Sequence, residues 1–219
     1  MTEQRNPIWD PHGSPRAPWD VRRPQPAVQA LVEAGGFSGR VLDVGCGYGE
    51  NALCIAASGL HVTGYDLDRE ALDWAEEQAS RRGLWDRTKF LRFDARRLIN
   101  LGGTTPYETV LDSLVFHSYK SPARRARHVA GLGTVLAPGG RLHVLCYSDQ
   151  HVGPPDPPHT VSLAAIQEAF ADGWTVDEVR ETTSISNLAP DGVASWLVTC
   201  SRSSGSTGSS RSIPDREES

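Results

Sequence analysis

The chain has 219 residues, 38% of them hydrophobic and 22% charged, with a formal net charge of −5. That length fits one domain of about 150 residues with appendages, and no run approaches the roughly 20 apolar residues of a membrane span, which predicts a soluble, cytoplasmic protein. The acidic balance argues against a nucleic-acid partner, despite the basic clusters Arg96–Arg97 and Arg124, Arg125 and Arg127. The cysteines Cys46, Cys54, Cys146 and Cys200 form no C-x-x-C pair and mostly lie in apolar runs. They read as free thiols in a reducing compartment, with neither a metal site nor a disulfide framework.

Residues 1–23 are proline-rich, lack periodicity and carry Trp9 and Trp19, so they read as an irregular arm able to dock as a lid. A domain is expected over 24–200, followed by a Ser/Gly-rich disordered tail over 201–219. Within the domain, Pro24 and Pro26 open a helix that Gly35-Gly36 ends. Arg40 to Val44 reads as a buried strand, followed by a glycine-rich turn over 45–49 and a helix from Glu50 to Ser58. A second strand, His61 to Tyr65, precedes a helix capped by Asp68 and running to Arg82. Phe90 to Phe93 and Thr109 to Val115 supply the third and fourth strands, and Ser121-Pro122 starts a helix to about Leu136. Arg141 to Tyr147 is the fifth strand. After a helix capped by Ser162, two strands follow without a helix between them, Thr175 to Thr183 and Ala194 to Cys200.

This alternation predicts an α/β, Rossmann-like, seven-stranded and mostly parallel sheet with helices on both faces and a C-terminal antiparallel hairpin. Ligands of such sheets sit at the carboxyl ends of the strands. There the chain runs Val41-Leu42-Asp43-Val44-Gly45-Cys46-Gly47-Tyr48-Gly49 from strand into helix. Glycines let the backbone turn sharply beside a ligand, and the helix N-terminus offers free N–H groups. The dinucleotide fingerprint wants a further glycine at position 50, where Glu50 would repel a pyrophosphate, so NAD and FAD are disfavoured. Asp66, ending the second strand, is placed to accept from ribose hydroxyls, and Asp94, ending the third, from an adenine amine. Together these describe an adenosine site without phosphates.

The ordered series Gly45 to Gly49, Asp66, Asp94, Asp112 and Leu136-Ala137-Pro138-Gly139-Gly140, with the terminal hairpin, resembles the class I S-adenosylmethionine-dependent methyltransferases. A narrower likeness, carried by Pro18-Trp19-Asp20, Arg23 to Pro26, Leu111-Asp112-Ser113 with Phe116-His117, and Leu145 to Asp149, is to actinobacterial small-molecule methyltransferases, including those acting on hydroxyquinolones and related heterocyclic toxins. The chain departs from that pattern at Tyr48, at Leu114-Val115 and in the loop Gly153 to His159.

The resemblance implies S-adenosyl-L-methionine as cofactor and a small aromatic or heterocyclic acceptor methylated on O, N or S. It implies that Gly45, Cys46, Gly47 and Gly49 hold the methionine part, with Asp43 favouring its ammonium. Asp66 would take the ribose, Leu67 would pack on the adenine, Asp94 with the Ala95 backbone would read its edge, and Asp112 belongs to the same set. For catalysis His117 leads, because an imidazole with a pKa near 6.5 suits proton transfer, with Tyr119 second. Trp19, Tyr147 and Asp149 are candidates to contact the acceptor, and the Pro-rich loop over 152–158 to roof it. The alternative is a protein of this fold that binds the cofactor without transferring methyl, as a cyclase or regulatory subunit.

Overall fold

The structure, a computed structural model, describes residues 18–101, 105–154, 157 and 159–202. Helix α1 (Pro26–Glu33) starts at the expected proline and buries Ala27, Val28 and Leu31. Strand β1 (Arg40–Val44) leads through the glycine turn into α2 (Glu50–Ala57), and β2 (His61–Asp66) into α3 (Arg69–Arg81). The α3 N-terminus is fixed as its sequence predicts, by Asp68 accepting from the N–H groups of Glu70 and Ala71. Strands β3 (Thr88–Arg92) and β4 (Tyr107–Ser113) follow, then α4 (Pro122–Val135), capped by Ser121, and β5 (Leu136–Tyr147). Helix α5 (Leu163–Ala169), capped by Ser162, precedes the long hairpin of β6 (Trp174–Ser186) and β7 (Ala189–Arg202).

The seven strands lie in the order β3-β2-β1-β4-β5-β7-β6. Strands β1 to β5 pair in parallel, and β7 runs antiparallel to both β5 and β6. Residue alternation along the strands divides the core between the faces. Leu42, Val44, Val110, Leu142 and Val144 pack with α4 and α5, whereas Val41, Leu111 and Leu145 pack with α1, α2 and α3. Strand order reverses between β1 and β4, which opens a crevice at their carboxyl ends.

Several boundaries differ from expectation. Strand β5 begins at Leu136 rather than Arg141, because a register shift opposite Tyr107 and Thr109 accommodates Ala137 to Gly140. Two 3-10 turns, Ala95–Asn100 and Phe116–Ser118, are too short to leave a periodic signature. Strand β7 continues through Ser201 and Arg202, both assigned to the tail by sequence, and the Arg202 guanidinium donates to the Gly133 carbonyl at 2.8 Å. The remainder of the expected tail, and residues 1–17 of the arm, lie outside the described residues.

What is described of the arm is pinned to the hairpin turn. The Asn187 N–H donates to the Pro18 carbonyl at 2.7 Å, and its side-chain amide to the Asp20 carbonyl at 2.8 Å. Gln25 makes two bonds to one residue of β6, donating to the Ile185 carbonyl and accepting from the Ile185 N–H, each at 2.9 Å.

Candidate active site

A cavity of about 790 Å³ opens at the carboxyl ends of β1, β2, β4 and β5, between the glycine turn and the hairpin tip. Its floor is Gly45 to Tyr48 of the turn, while Gly49 is not on the wall; Gly45, Gly47 and Gly49 all take positive φ, at 69°, 51° and 78°. A Cβ at Gly45 would lie 2.3 Å from Val115 Cγ2, and one at Gly49 2.6 Å from Ala75 Cβ, so close approach as well as φ demands glycine at both. The N–H groups of Gly45 and Cys46 both donate to the Tyr65 carbonyl, at 2.7 and 3.0 Å, which ties the turn to β2.

The strand-end acids divide into distinct tasks. Asp66 accepts from the Gly47 N–H at 2.8 Å and the Asp68 N–H at 2.9 Å, and lines the cavity with Gly45, Cys46 and Gly47. Asp43 is not on the cavity wall; it is fully buried in β1 behind the turn, and among the described residues its oxygens have only the Ala52 N–H near them, without a hydrogen bond of good geometry. Desolvation first, then the charges of Asp66 and Asp112, push its pKa up to about 7, with the Ala52 N–H partly opposing them. An uncompensated buried carboxylate beside a glycine floor fits a ligand bearing an ammonium, which would offset the burial. Glu50 gives both oxygens to Arg82, at 2.9 and 2.8 Å, so the negative charge expected to repel a diphosphate is compensated within the chain.

Leu67, Asp94 and Ala95 are not on the cavity wall. Leu67 is half exposed, and Asp94 is engaged by the Arg96 guanidinium at 2.7 to 3.0 Å, a bond that lowers its pKa.

Elsewhere on the wall, His117 and Tyr147 line the cavity together, with ring centroids 4.5 Å apart. Burial drives the His117 pKa down to about 4, well below the near-neutral value expected from sequence, so the ring is neutral and weakly basic at pH 7. Burial also raises the Tyr147 phenol above its ordinary value, keeping it a donor. Tyr119 is not on the wall; it stacks on His128 at 4.5 Å and 30°. Nor is Asp149, which is exposed. Asp112, grouped by sequence with the cofactor ligands, is fully buried and commits Oδ1 to the N–H groups of Val115 and Phe116, and Oδ2 to His128.

Trp19, 64% exposed, stands at the cavity with Leu188 of the hairpin turn, and Pro157 and His159 of the Pro-rich loop line it too. Residues 155, 156 and 158 of that loop lie outside the described residues. Sequence reasoning missed Arg22, whose guanidinium sits 3.7 Å from the Trp74 ring and 4.5 Å from that of Tyr48 while paired with Asp20 at 2.5 Å. It missed Ser113 and Ser186 as well, both buried on the wall. No motif announces these residues; the rings of Tyr48 and Trp74, for example, reach Arg22 only in the fold. His143, read as core, is buried in β5 and bonded to Thr199 and the Gly36 carbonyl. Among the described residues no group of His, Cys, Asp or Glu could hold a metal ion, and no helix is long and apolar enough to cross a membrane.

Residues 41–140 match a family described as a methyltransferase domain. The chain is 35% identical over 167 residues to a 2-heptyl-1-hydroxyquinolin-4(1H)-one methyltransferase of Mycobacteroides abscessus, covering 75% of this chain and 71% of that one. It is 26% identical to a probable thiol methyltransferase 2 of Arabidopsis thaliana, over 78% of this chain and 74% of the relative. A solved structure from work on the conversion of a disulfide bond into a thioacetal group during echinomycin biosynthesis superposes with a TM-score of 0.74 at 32% identity, covering 88% of each chain. With the strand order, glycine floor and strand-end acids already in place, these likenesses establish that the chain belongs to the class I S-adenosylmethionine-dependent methyltransferases.

Proposed function

We propose that this methyltransferase acts on an oxygen, nitrogen or sulfur atom of a small aromatic or heterocyclic acceptor seated against His117 and Tyr147. The supporting observation is the continuity of the cavity, which runs from the glycine turn and the Asp66 carboxylate to these two rings. The relatives act on a hydroxyquinolone and, by name, a thiol, which supports a small heteroatom acceptor. A net charge of −5 weighs against nucleic acid.

When bound, the cofactor supplies an electrophilic methyl carrying its own leaving group. The chain's task is then alignment and exclusion of water. Gly45, Cys46 and Gly47 form the floor, Asp43 favours a cation above it, and Asp66, braced by two N–H groups, is the carboxylate for the ribose. His117 and Tyr147 form an aromatic wall with polar edges, suited to orienting a flat acceptor. Trp19 and Leu188 stand at the mouth, where apolar bulk shields the reacting atoms.

The direct test incubates purified protein with methyl-labelled cofactor and a panel of 1-hydroxyquinolones, phenols and thiols. Label is expected in a small-molecule product from at least one class. Cofactor binding with no labelled product from any class overturns the proposal.

A further inference from the structure

We propose that Asp112 and His128 form a buried positioning pair that sets the turn carrying His117; this rests on the reading of His117 as part of the acceptor wall. Neither residue touches the cavity, and both are almost wholly buried, at 0% and 3% exposure. His128 comes from the buried face of α4 that also presents Val129, Leu132 and Val135. Its Nε2 lies 2.5 Å from Asp112 Oδ2, while Oδ1 accepts from the Phe116 N–H at 2.9 Å and the Val115 N–H at 3.2 Å. Both oxygens of the carboxylate are thus consumed by one helix and one turn.

The turn needs this restraint. Leu114 has a φ of 65°, in the left-handed region that non-glycine residues seldom occupy. Such strain persists only where the surroundings over-determine it. Here the Leu114 N–H is held by the Leu145 carbonyl at 2.8 Å, and the next two N–H groups by Asp112. Val115, inside this clamp, packs against the α-carbon of Gly45, and His117 follows two residues later. Tyr119 closes the arrangement by stacking on His128.

The His128 Nδ1 is buried without a hydrogen-bond partner among the described residues. The ring is therefore tied to the chain through Nε2, whose N–H is the donor that a carboxylate oxygen accepts. Neither partner lines the cavity, so the pair acts on the turn from behind the wall.

The test compares His128→Gln, whose amide can place an N–H near the original Nε2, with His128→Asn, whose amide falls short. For the Asn variant the expected result is a kcat lowered about ten- to a hundredfold, the scale of a misaligned reacting group. Its His117 imidazole 15N signals are expected to shift, and its Kd for S-adenosylhomocysteine to stay within about threefold of wild type. The Gln variant is expected to recover most of the rate and the wild-type His117 spectrum.

Wild-type kcat, KM and His117 signals in the Asn variant overturn the proposal, as does equal impairment of both variants. In the wild-type protein the His128 Nε2 proton must also give a slowly exchanging downfield signal, and its absence overturns the pair whether or not the variants fold. The spectra and the Kd need no turnover. A failure to methylate any acceptor would sink the proposed function while these readouts still decide the pair.

Discussion

Asp43 is the residue whose chemistry is most exposed to pH. Its folded-state pKa of about 7 lies above the 3.8 of an ordinary aspartate, so the native chain keeps a proton that the unfolded chain releases. The contribution to stability is therefore fully present below about pH 4, declines as pH rises towards 7, and is flat above. The gap corresponds to about 4 kcal/mol at most. Urea denaturation of wild type and Asp43→Asn at pH 4, 6 and 8 is expected to show the wild type losing stability relative to the variant across that range; a constant difference contradicts the buried-acid account. An ammonium above the turn stabilises the charged carboxylate, so S-adenosylhomocysteine should bind with release of a proton near pH 6. Calorimetry in buffers of different ionisation enthalpy measures it.

Asp66 makes the complementary prediction. Replacing it by Ala removes the acceptor of two backbone N–H groups along with the carboxylate proposed for the ribose. Charged hydrogen bonds of this kind contribute about 1.5–3 kcal/mol, so Kd for S-adenosylhomocysteine should rise on the order of ten- to a hundredfold.

Among the elements, the hairpin of β6 and β7 does more than complete the sheet, because its turn holds the arm over the cavity. Gln25 acts there as a side-chain substitute for a strand partner, satisfying both main-chain groups of Ile185 while its own N–H donates to Asn51 in α2 at 2.9 Å. Gln25→Ala strands a buried donor and acceptor at roughly 1–3 kcal/mol each. A lower thermal midpoint and faster proteolysis near residues 18–25 are expected, with the far-ultraviolet spectrum unchanged. Wild-type protease resistance would mean that the arm is held by other contacts.

These long-range bonds mark where the sequence stops being legible. The helices that begin at Asp68, Ser121 and Ser162 are readable because a cap is a local contract between a side chain and N–H groups two or three residues on. The glycine turn is readable because positive φ and close packing leave one residue type. Asp112 shows the limit: its place at a strand end is visible, but not that its carboxylate turns towards α4. The available sign was His128, a histidine in register with Val129, Leu132 and Val135 on an otherwise apolar helix face, which needs a buried partner. His117 shows a second limit, since the burial that lowers its pKa comes with the Tyr147 ring of β5, which meets it only in the fold.

For the molecule as a whole, a carboxyl behind the glycine turn and an imidazole on the cavity wall titrate in opposite senses. Asp43 rises to about 7 behind the turn proposed to hold the cofactor, and His117 falls to about 4 at the proposed acceptor wall. With the proposed ammonium over Asp43, saturating cofactor is expected to remove the first from the acceptor's kinetics. The second stays neutral from pH 5 upwards, too weak a base to draw a proton from a weakly acidic hydroxyl or thiol. The ionisation seen in kcat/KM for the acceptor should then be the acceptor's own. Two acceptors of different pKa are expected to give pH profiles whose breaks move with that pKa, and His117→Ala should lower kcat by a similar factor for both, as loss of orientation does. A break fixed near pH 6.5 for both acceptors, or a loss for the less acidic one approaching the 10²- to 10⁴-fold of general-base catalysis, would return proton transfer to the histidine.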